Sequence, residues 1–292
     1  MHPGVAAGGV EISGLGAVEQ HAADVTEAIG VGVESPISYN QWLKPVLVLR
    51  HGDDIPLGLL GEALDAAGVP QIEVMLHDGE PIPPLAGFSA LVVLGGVMGA
   101  YEEEAHPWLG DEKRAIAEAY KAEMPMFGIC LGSQLFAEAL GGRAFLSESA
   151  PEIAHMMPTL TEAGAEDPVL RHFDEPVVVF HQDTWDPPPE AILLATSDRF
   201  NHVFRLGSAV AIQAHPEADA AVVAKWVETK DELPLMEAAG VDPDQLVAEV
   251  AAGEEAQREM AAKLFGAWVE EVTSHQSPVR KKGMSGRRGD RH

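Results

Sequence analysis

The sequence has a single cysteine, few basic residues and no long apolar run. With only Cys130 among 292 residues, no intrachain disulfide can form, and this cysteine usage is typical of a reducing compartment. No stretch reaches the ~18 uninterrupted apolar residues of a membrane-spanning helix. The 19 Lys and Arg face 46 Asp and Glu, and the net charge of −27 argues against nucleic-acid or anionic-membrane binding. Because the first residues lack a basic segment followed by an apolar run, we expect no secretory signal and a cytoplasmic protein.

Both ends of the chain differ in composition from its middle. Residues 1–42 contain no Lys or Arg and lack clear periodicity, so they predict a disordered extension, with room for one short helix near Val18–Ile29. Residues 274–292 predict a disordered basic tail. Between them we predict a main domain, 43–235, and a helical segment, 236–273.

Short apolar runs alternate with amphipathic segments in the first half of that domain. The predicted strands are Val46–Leu49, Ile72–Leu76, Ala90–Leu94 and Met126–Cys130, and the helices are Leu57–Ala67, Pro107–Lys121 and Leu131–Leu140. This alternation predicts an α/β fold: a mostly parallel open sheet with helices on both faces. Four closely spaced later runs predict an antiparallel extension: Val177–Phe180, Ile192–Ala195, His202–Arg205 and Ala209–Gln213. Helices follow at Asp219–Thr229, with Asp219 as N-cap, and at Asp244–Val272.

A Gly-x-Cys-x-Gly sequence at residues 128–132 joins a predicted strand to a predicted helix. A nucleophile on such a sharp turn is exposed to substrate, and the glycines let neighbouring backbone approach it. The helix N-terminus stabilises negative charge and so favours a thiolate at Cys130. The backbone N–H of Leu131 points to where an oxyanion would develop. Cys130 is therefore a candidate nucleophile, and the alternative is a small buried apolar residue.

A candidate base lies at the end of another predicted strand. His215 follows the run Ala209–Gln213, and active groups of open α/β sheets gather at the carboxyl ends of the strands. Glu217 lies two residues on and can hold the imidazole tautomer, the third role in a nucleophile–base–orienter set. A turn histidine is the alternative. The Gly95-Gly96 pair follows a third strand, where it can present a backbone N–H as a second oxyanion donor.

Together these residues resemble the class I (triad-type) glutamine amidotransferases, in particular the stand-alone, GMP synthase-like subgroup. The family elbow Gly-x-Cys-x-Gly-x-Gln is matched at residues 128–134, and its His-Pro-Glu at residues 215–217. The Gly pair at 95–96, the Pro-Trp-Leu helix start at 107–109 and the His-x-Asp-Thr segment at 181–184 are similar to features of the subgroup. The likeness covers roughly Pro45 to Lys230.

The resemblance implies a flavodoxin-like amidotransferase fold and a glutaminase reaction. The thiol would attack the side-chain amide of glutamine, the histidine would protonate the departing ammonia, and water would cleave the γ-glutamyl thioester. No cofactor is implied. The implied site residues are Cys130, His215 and Glu217 for catalysis, Gly96 and Leu131 for the oxyanion hole, and Gln134 and His181 for substrate binding.

Three positions depart from the family pattern and bear on the substrate. Val97 replaces a common proline, Gln182 a usual glycine and Ala214 a common phenylalanine, which puts specificity for free glutamine in question. The chain has neither a Ser-Gly-Gly-x-Asp-Ser nor a Gly-x-x-x-x-Gly-Lys-[Ser/Thr] loop, so ATP chemistry is not encoded. Either a synthetase partner accepts the ammonia, or the enzyme acts alone on a γ-glutamyl compound. The scattered histidines and lone cysteine indicate no metal site.

Three other hypotheses remain open from the sequence. A γ-glutamyl peptidase would use the same triad on γ-glutamyl peptides. An α/β-hydrolase-type esterase would take Asp183 or Asp198 as its acid, which leaves Glu217 and Gln134 unexplained. A non-catalytic regulatory module would have no use for an intact set of Cys130, His215 and Glu217.

Overall fold

The computed structural model describes residues 43–230 and 232–276. The predicted N-terminal extension, with its short helix near Val18–Ile29, lies outside the described residues, and so do residues 277–292 of the predicted basic tail. Among the helices that are described, none has the length and apolar character needed to cross a membrane.

An eight-stranded sheet forms the centre of this part of the chain. In order across the sheet, its strands are β2 (Gln71–Met75), β1 (Val46–Arg50), β3 (Ala90–Val93), β4 (Met126–Ile129), β12 (Ala209–Ile212), β11 (Asn201–Leu206), β10 (Ile192–Thr196) and β7 (Thr159–Leu160). The first five are parallel to their neighbours, and beyond β12 each pairing is antiparallel. The predicted parallel sheet with an antiparallel extension is confirmed.

Helices cover both faces of this sheet. Those described are α1 (Gly58–Ala66), α2 (Trp108–Lys121), α3 (Leu131–Ala139), α4 (Glu162–Glu166), α5 (Ala220–Trp226), α6 (Leu233–Ala239) and α7 (Pro243–Gln276). Val46 and Val48 of β1 pack in the apolar cluster that contains α1 and α7. Leu47 and Leu49 pack in the cluster that contains α2 and α3. Because successive side chains of a strand point to opposite faces, an uninterrupted apolar run is what a doubly covered strand requires.

The predicted run Val177–Phe180 forms a strand, but it does not join the central sheet. It belongs to β8 (Val177–His181), which pairs with β6 (Glu152–Met156) in a separate two-stranded sheet. A second small sheet pairs β5 (Arg143–Leu146) with β9 (Asp183–Asp186). The partner strands β5 and β6 were not predicted. Each lies some 20 to 40 residues from the strand it pairs with, so the sequence holds no local turn signal for either pair.

Two of the C-terminal helices start and pack as their sequences suggest. Asp219 caps α5, as predicted, by accepting the Val222 N–H at 3.0 Å. Helix α7 lies against the sheet through Phe265 and Trp268, whose ring centroids lie 5.6 and 5.5 Å from that of Phe127 on β4. Helix α7 is therefore part of the same apolar core as the central strand that precedes Cys130.

The substitution Phe265→Ala is expected to lower the free energy of unfolding by about 3–5 kcal/mol, because it removes a fully buried ring and leaves a cavity. Urea denaturation followed by circular dichroism measures this change. Lys263→Ala, at an exposed position of the same helix, should stay within about 0.5 kcal/mol of the unmodified protein. A loss below about 1 kcal/mol for Phe265→Ala would show that α7 adds little to the core.

Candidate active site

Cys130 occupies a strained turn between β4 and α3. Its backbone angles are φ 51° and ψ −109°, a conformation that costs of order 1–3 kcal/mol for a residue other than glycine. The turn is held by the Cys130 N–H, which donates to the Ile212 carbonyl at 2.8 Å. The flanking glycines are required by close backbone contacts: a Cβ on Gly128 would lie 2.7 Å from the Gly132 oxygen, and one on Gly132 only 2.1 Å from the Val93 oxygen. The predicted elbow is thus present in the backbone.

His215 lies at the same edge of the sheet as Cys130. Strand β12 runs parallel to β4 with Ile212 opposite Ile129, so both strands end together. The His215 N–H donates to the Val178 carbonyl at 2.9 Å, which holds the backbone beside β8. The side chains of His215 and Cys130 both flank Gly95, where a Cβ would lie 3.3 Å from His215 Cε1 and 3.6 Å from Cys130 Cβ.

Glu217 completes a buried row of three side chains. His215 Nδ1 lies 2.7 Å from Glu217 Oε1, and since the carboxylate only accepts, Nδ1 carries the proton and donates. Cys130, His215 and Glu217 are 8%, 5% and 2% exposed. This leaves Nε2 of the imidazole for the thiol. The structure therefore brings the three predicted catalytic side chains together in the order thiol, imidazole and carboxylate.

The two predicted oxyanion donors also meet beside the thiol. Gly96 follows β3, and a Cβ on it would lie 2.6 Å from Leu131 Cδ2, so the two residues are in contact. In the described part of the chain, neither the Gly96 N–H nor the Leu131 N–H has a hydrogen-bond partner. Two unpaired backbone donors next to a buried nucleophile suit the developing oxygen charge of a tetrahedral intermediate.

The thiol lines a small pocket together with apolar and acidic residues. Val97, 63% exposed, stands at its rim, and Phe180 and Trp226 form its apolar wall. Asp54 and Glu232 line it as well. An acidic rim favours a substrate that carries an ammonium group.

Comparison with known proteins identifies the family. The model of the family described as Glutamine amidotransferase class-I matches residues 65–225. The chain belongs to the class I glutamine amidotransferases. A crystal structure of a glutamine amidotransferase from Thermotoga maritima is 30% identical, with a TM-score of 0.69 over 80% of this chain and 98% of that one.

Two curated relatives carry related names. The glutamine amidotransferase-like protein YfeJ of Salmonella typhimurium is 39% identical over 129 residues, 42% of this chain and 54% of the relative. One subunit of the glutamine-hydrolysing GMP synthase of Methanopyrus kandleri is 28% identical over 157 residues, 53% of this chain and 76% of the relative. The matched region thus spans about half the length of the Salmonella protein.

Charge inside this amidotransferase site favours an imidazolium. Burial lowers the pKa of His215. The charges of Glu217 and Cys130 and the hydrogen bonds to both raise this pKa by more than burial lowers it, so that it reaches about 10. His215 is therefore protonated at neutral pH, which is the form able to stabilise a thiolate and to donate a proton to a leaving amine.

Gln134 is connected to the thiol by Gln213, a glutamine that was not among the predicted site residues. Gln213 Nε2 lies 3.6 Å from Cys130 Sγ, and Gln134 Nε2 lies 3.5 Å from Gln213 Oε1. The signal for Gln213 was present, because residues two apart on a strand share a face and Gln213 precedes His215 by two.

His181 belongs to a buried group with Glu152 and His202, and it shares the Asp183 carbonyl with Gln134. Its Nδ1 lies 2.8 Å from the Asp183 carbonyl, and its Nε2 lies 3.6 Å from Glu152 Oε2. It is not among the residues that line the pocket at Cys130. Of the seven predicted site residues, five form the site around the thiol, Gln134 is connected to it through Gln213, and His181 lies in a neighbouring network.

That network is the one group of metal-ligating side chains found in the described residues, with its ligand atoms within 4.8 Å of one another. Its carboxylate is already engaged, since Glu152 accepts from Ser197 Oγ at 2.9 Å and lies 2.7 Å from His202 Nε2. Arg199 lies 3.6 Å from the same carboxylate. Burial raises the pKa of Glu152, but the adjacent imidazoles of His181 and His202 outweigh it and hold the pKa well below its usual range. Glu152 is therefore ionised at neutral pH, and its oxygens already have partners in Ser197, His202 and Arg199.

Proposed function

We propose that this chain is a glutaminase that releases ammonia from the side-chain amide of glutamine. The buried contact of Cys130, His215 and Glu217 beside two unpaired backbone N–H groups carries the proposal. The same arrangement opposes the esterase hypothesis, because Glu217 already fills the position of the acid and neither Asp183 nor Asp198 is needed.

The arrangement accounts for each bond that changes. The Cys130 thiolate attacks the amide carbon, and the carbonyl oxygen takes up the charge facing the N–H groups of Gly96 and Leu131. His215 gives its proton to the amide nitrogen, the C–N bond breaks and ammonia leaves a γ-glutamyl thioester. Water then attacks the thioester carbon while His215 accepts its proton, the C–S bond breaks, and glutamate departs as the Cys130 thiolate beside the protonated His215 is restored.

The ammonia acceptor is proposed to be a partner synthetase. The Methanopyrus relative is named as one subunit of a glutamine-hydrolysing GMP synthase, and this chain carries no ATP-binding loop of its own. In such an arrangement the amidotransferase supplies ammonia at the carboxyl edge of its sheet.

One observation favours the peptidase alternative. Val97 replaces the family's usual proline at the rim and is largely exposed, so the pocket mouth presents an apolar surface to whatever extends beyond the amide. A γ-glutamyl peptide would place its leaving peptide there.

The two activities are separated by measuring glutamate release from glutamine and from glutathione with the isolated chain. We expect kcat/KM for glutamine to exceed that for glutathione by at least about tenfold, since a pocket fitted to one leaving group discriminates by about this factor per missing contact. The reverse order would establish the peptidase. Release from neither substrate, with or without candidate acceptors, would contradict both.

A further inference from the structure

A second buried ion pair lies behind the oxyanion donors, on the side away from the substrate pocket. His51 follows β1 and Glu112 lies on α2, and both side chains are fully buried. His51 Nδ1 lies 2.8 Å from the Gly95 carbonyl oxygen. His51 Nε2 lies 3.1 Å from each oxygen of Glu112. Neither residue lines the pocket at Cys130.

Both ring nitrogens of His51 face acceptors. A backbone carbonyl never donates, and an ionised carboxylate only accepts, so an imidazolium satisfies both contacts at once. Burial lowers the pKa of His51, but the charge and hydrogen bonds of Glu112, together with the backbone carbonyls of Gly95 and Leu94, raise it above its ordinary value. A buried ion pair is weak as a source of stability, because desolvation offsets most of its attraction. The pair therefore calls for another explanation.

The contact with the Gly95 carbonyl determines the orientation of the next N–H. The carbonyl of Gly95 and the N–H of Gly96 belong to one peptide unit, which is planar and trans, so they point in opposite directions. A Gly-Gly peptide has unusual rotational freedom. With its carbonyl bound to His51 behind it, the unit directs the unpaired Gly96 N–H forward. Gly96 itself is packed closely, since a Cβ there would lie 3.0 Å from His51 Cβ.

We propose that the His51–Glu112 pair is a positioning device that holds the Gly95–Gly96 peptide so that the Gly96 N–H faces the oxyanion of the tetrahedral intermediate. The hydrogen bond to the carbonyl also polarises the peptide and strengthens its N–H as a donor. His51 acts through Gly96 and never touches the substrate. This inference rests on the proposed amide hydrolysis.

The test compares two variants that differ only in the donor to Gly95. In Glu112→Gln, a neutral His51 keeps its Nδ1–H on the Gly95 carbonyl while Nε2 accepts from the new amide. In the double variant His51→Leu with Glu112→Gln, this donor is lost without leaving an unpaired buried charge. We expect Glu112→Gln to keep kcat for glutamine within about fivefold, and the double variant to lose about 10²-fold in kcat with KM nearly unchanged, as when an oxyanion donor is removed.

Alkylation of Cys130 by iodoacetamide separates positioning from a general defect. The alkylation reaction forms no oxyanion. The alkylation rate of the double variant should therefore stay within about threefold of the rate of Glu112→Gln. Asp167→Asn serves as a stability control, because it breaks the Asp167–Arg205 ion pair, which is partly buried and lies outside the pocket at Cys130. It should lower the thermal midpoint without lowering kcat. The double variant His51→Asn with Glu112→Gln returns an N–H near the Nδ1 position. Its kcat should be at least about tenfold higher than that of the His51→Leu double variant.

Each result has one meaning. Equal kcat in Glu112→Gln and the His51→Leu double variant would overturn the inference. A fall in the alkylation rate of the double variant as large as its fall in kcat would overturn it as well. If the leucine variant does not fold, a folded His51→Asn double variant with kcat about 10²-fold below that of Glu112→Gln would overturn it as well. An unmodified protein that hydrolyses neither glutamine nor a γ-glutamyl peptide would instead refute the proposed function.

Discussion

Replacing Cys130 with alanine is expected to lower glutamate release from glutamine by at least about 10⁴-fold, because the covalent route disappears with the only thiol. Alanine keeps the Cβ of the elbow, so the turn and the packing of β4 and α3 should survive. The residual rate would come from the remaining donors and from binding. An assay of glutamate formed over hours at high enzyme concentration measures this difference.

The single cysteine makes this experiment unusually direct. A thiol reagent such as 5,5′-dithiobis(2-nitrobenzoate) reports Cys130 and nothing else, so labelling of the active protein should abolish turnover in proportion to the thiol consumed. The glutamine-analogue electrophile diazo-oxo-norleucine should add to the same sulfur. Undiminished turnover in Cys130→Ala, with an unchanged thermal midpoint, would end the proposed mechanism.

The substitution Glu217→Gln is expected to lower kcat/KM by about 10²–10³-fold and to move the alkaline limit of activity to lower pH. Burial opposes protonation of His215, while the charge of Glu217 is the largest factor that favours it and helps to raise the pKa of the imidazole to about 10. Activity that needs a thiolate and an imidazolium is lost as pH rises through the pKa of the histidine. Removing the carboxylate charge lowers that pKa, so the loss should begin at lower pH.

The measurement is a pH–rate profile of kcat/KM for the unmodified protein and the variant. The apparent pKa belongs to the coupled thiol–imidazole pair. Glu228→Gln removes an equal charge from an exposed site outside the pocket, and its profile should coincide with that of the unmodified protein. The same raised pKa should add stability that is fully present below about pH 6.5 and lost as pH rises toward 10. An alkaline limit that stays in place in Glu217→Gln would show that Glu217 does not set the charge of His215.

Much of the fold and the centre of the site could be predicted because their signals are local. Cys130 stands between glycines at a strand-to-helix junction, and His215 follows an apolar run. Parallel strands bring such ends to one edge whatever the details of the chain between them. Strand β8 was placed in the wrong sheet for the opposite reason, since its partner β6 lies about 20 residues away, with β7 and α4 between them in the chain.

The sequence alone determined that this chain is an α/β protein and pointed to a thiol, an imidazole and a carboxylate as its candidate reactive set, because apolar periodicity and glycine spacing are properties of neighbouring residues. Only the tertiary structure decided what surrounds that set. In that structure Gln213 lies beside the Cys130 sulfur, His181 belongs to a network with Glu152, and His51 contacts the Gly95 carbonyl. These contacts join residues up to 83 positions apart, and their geometry arises only when separate strands and helices pack into one core.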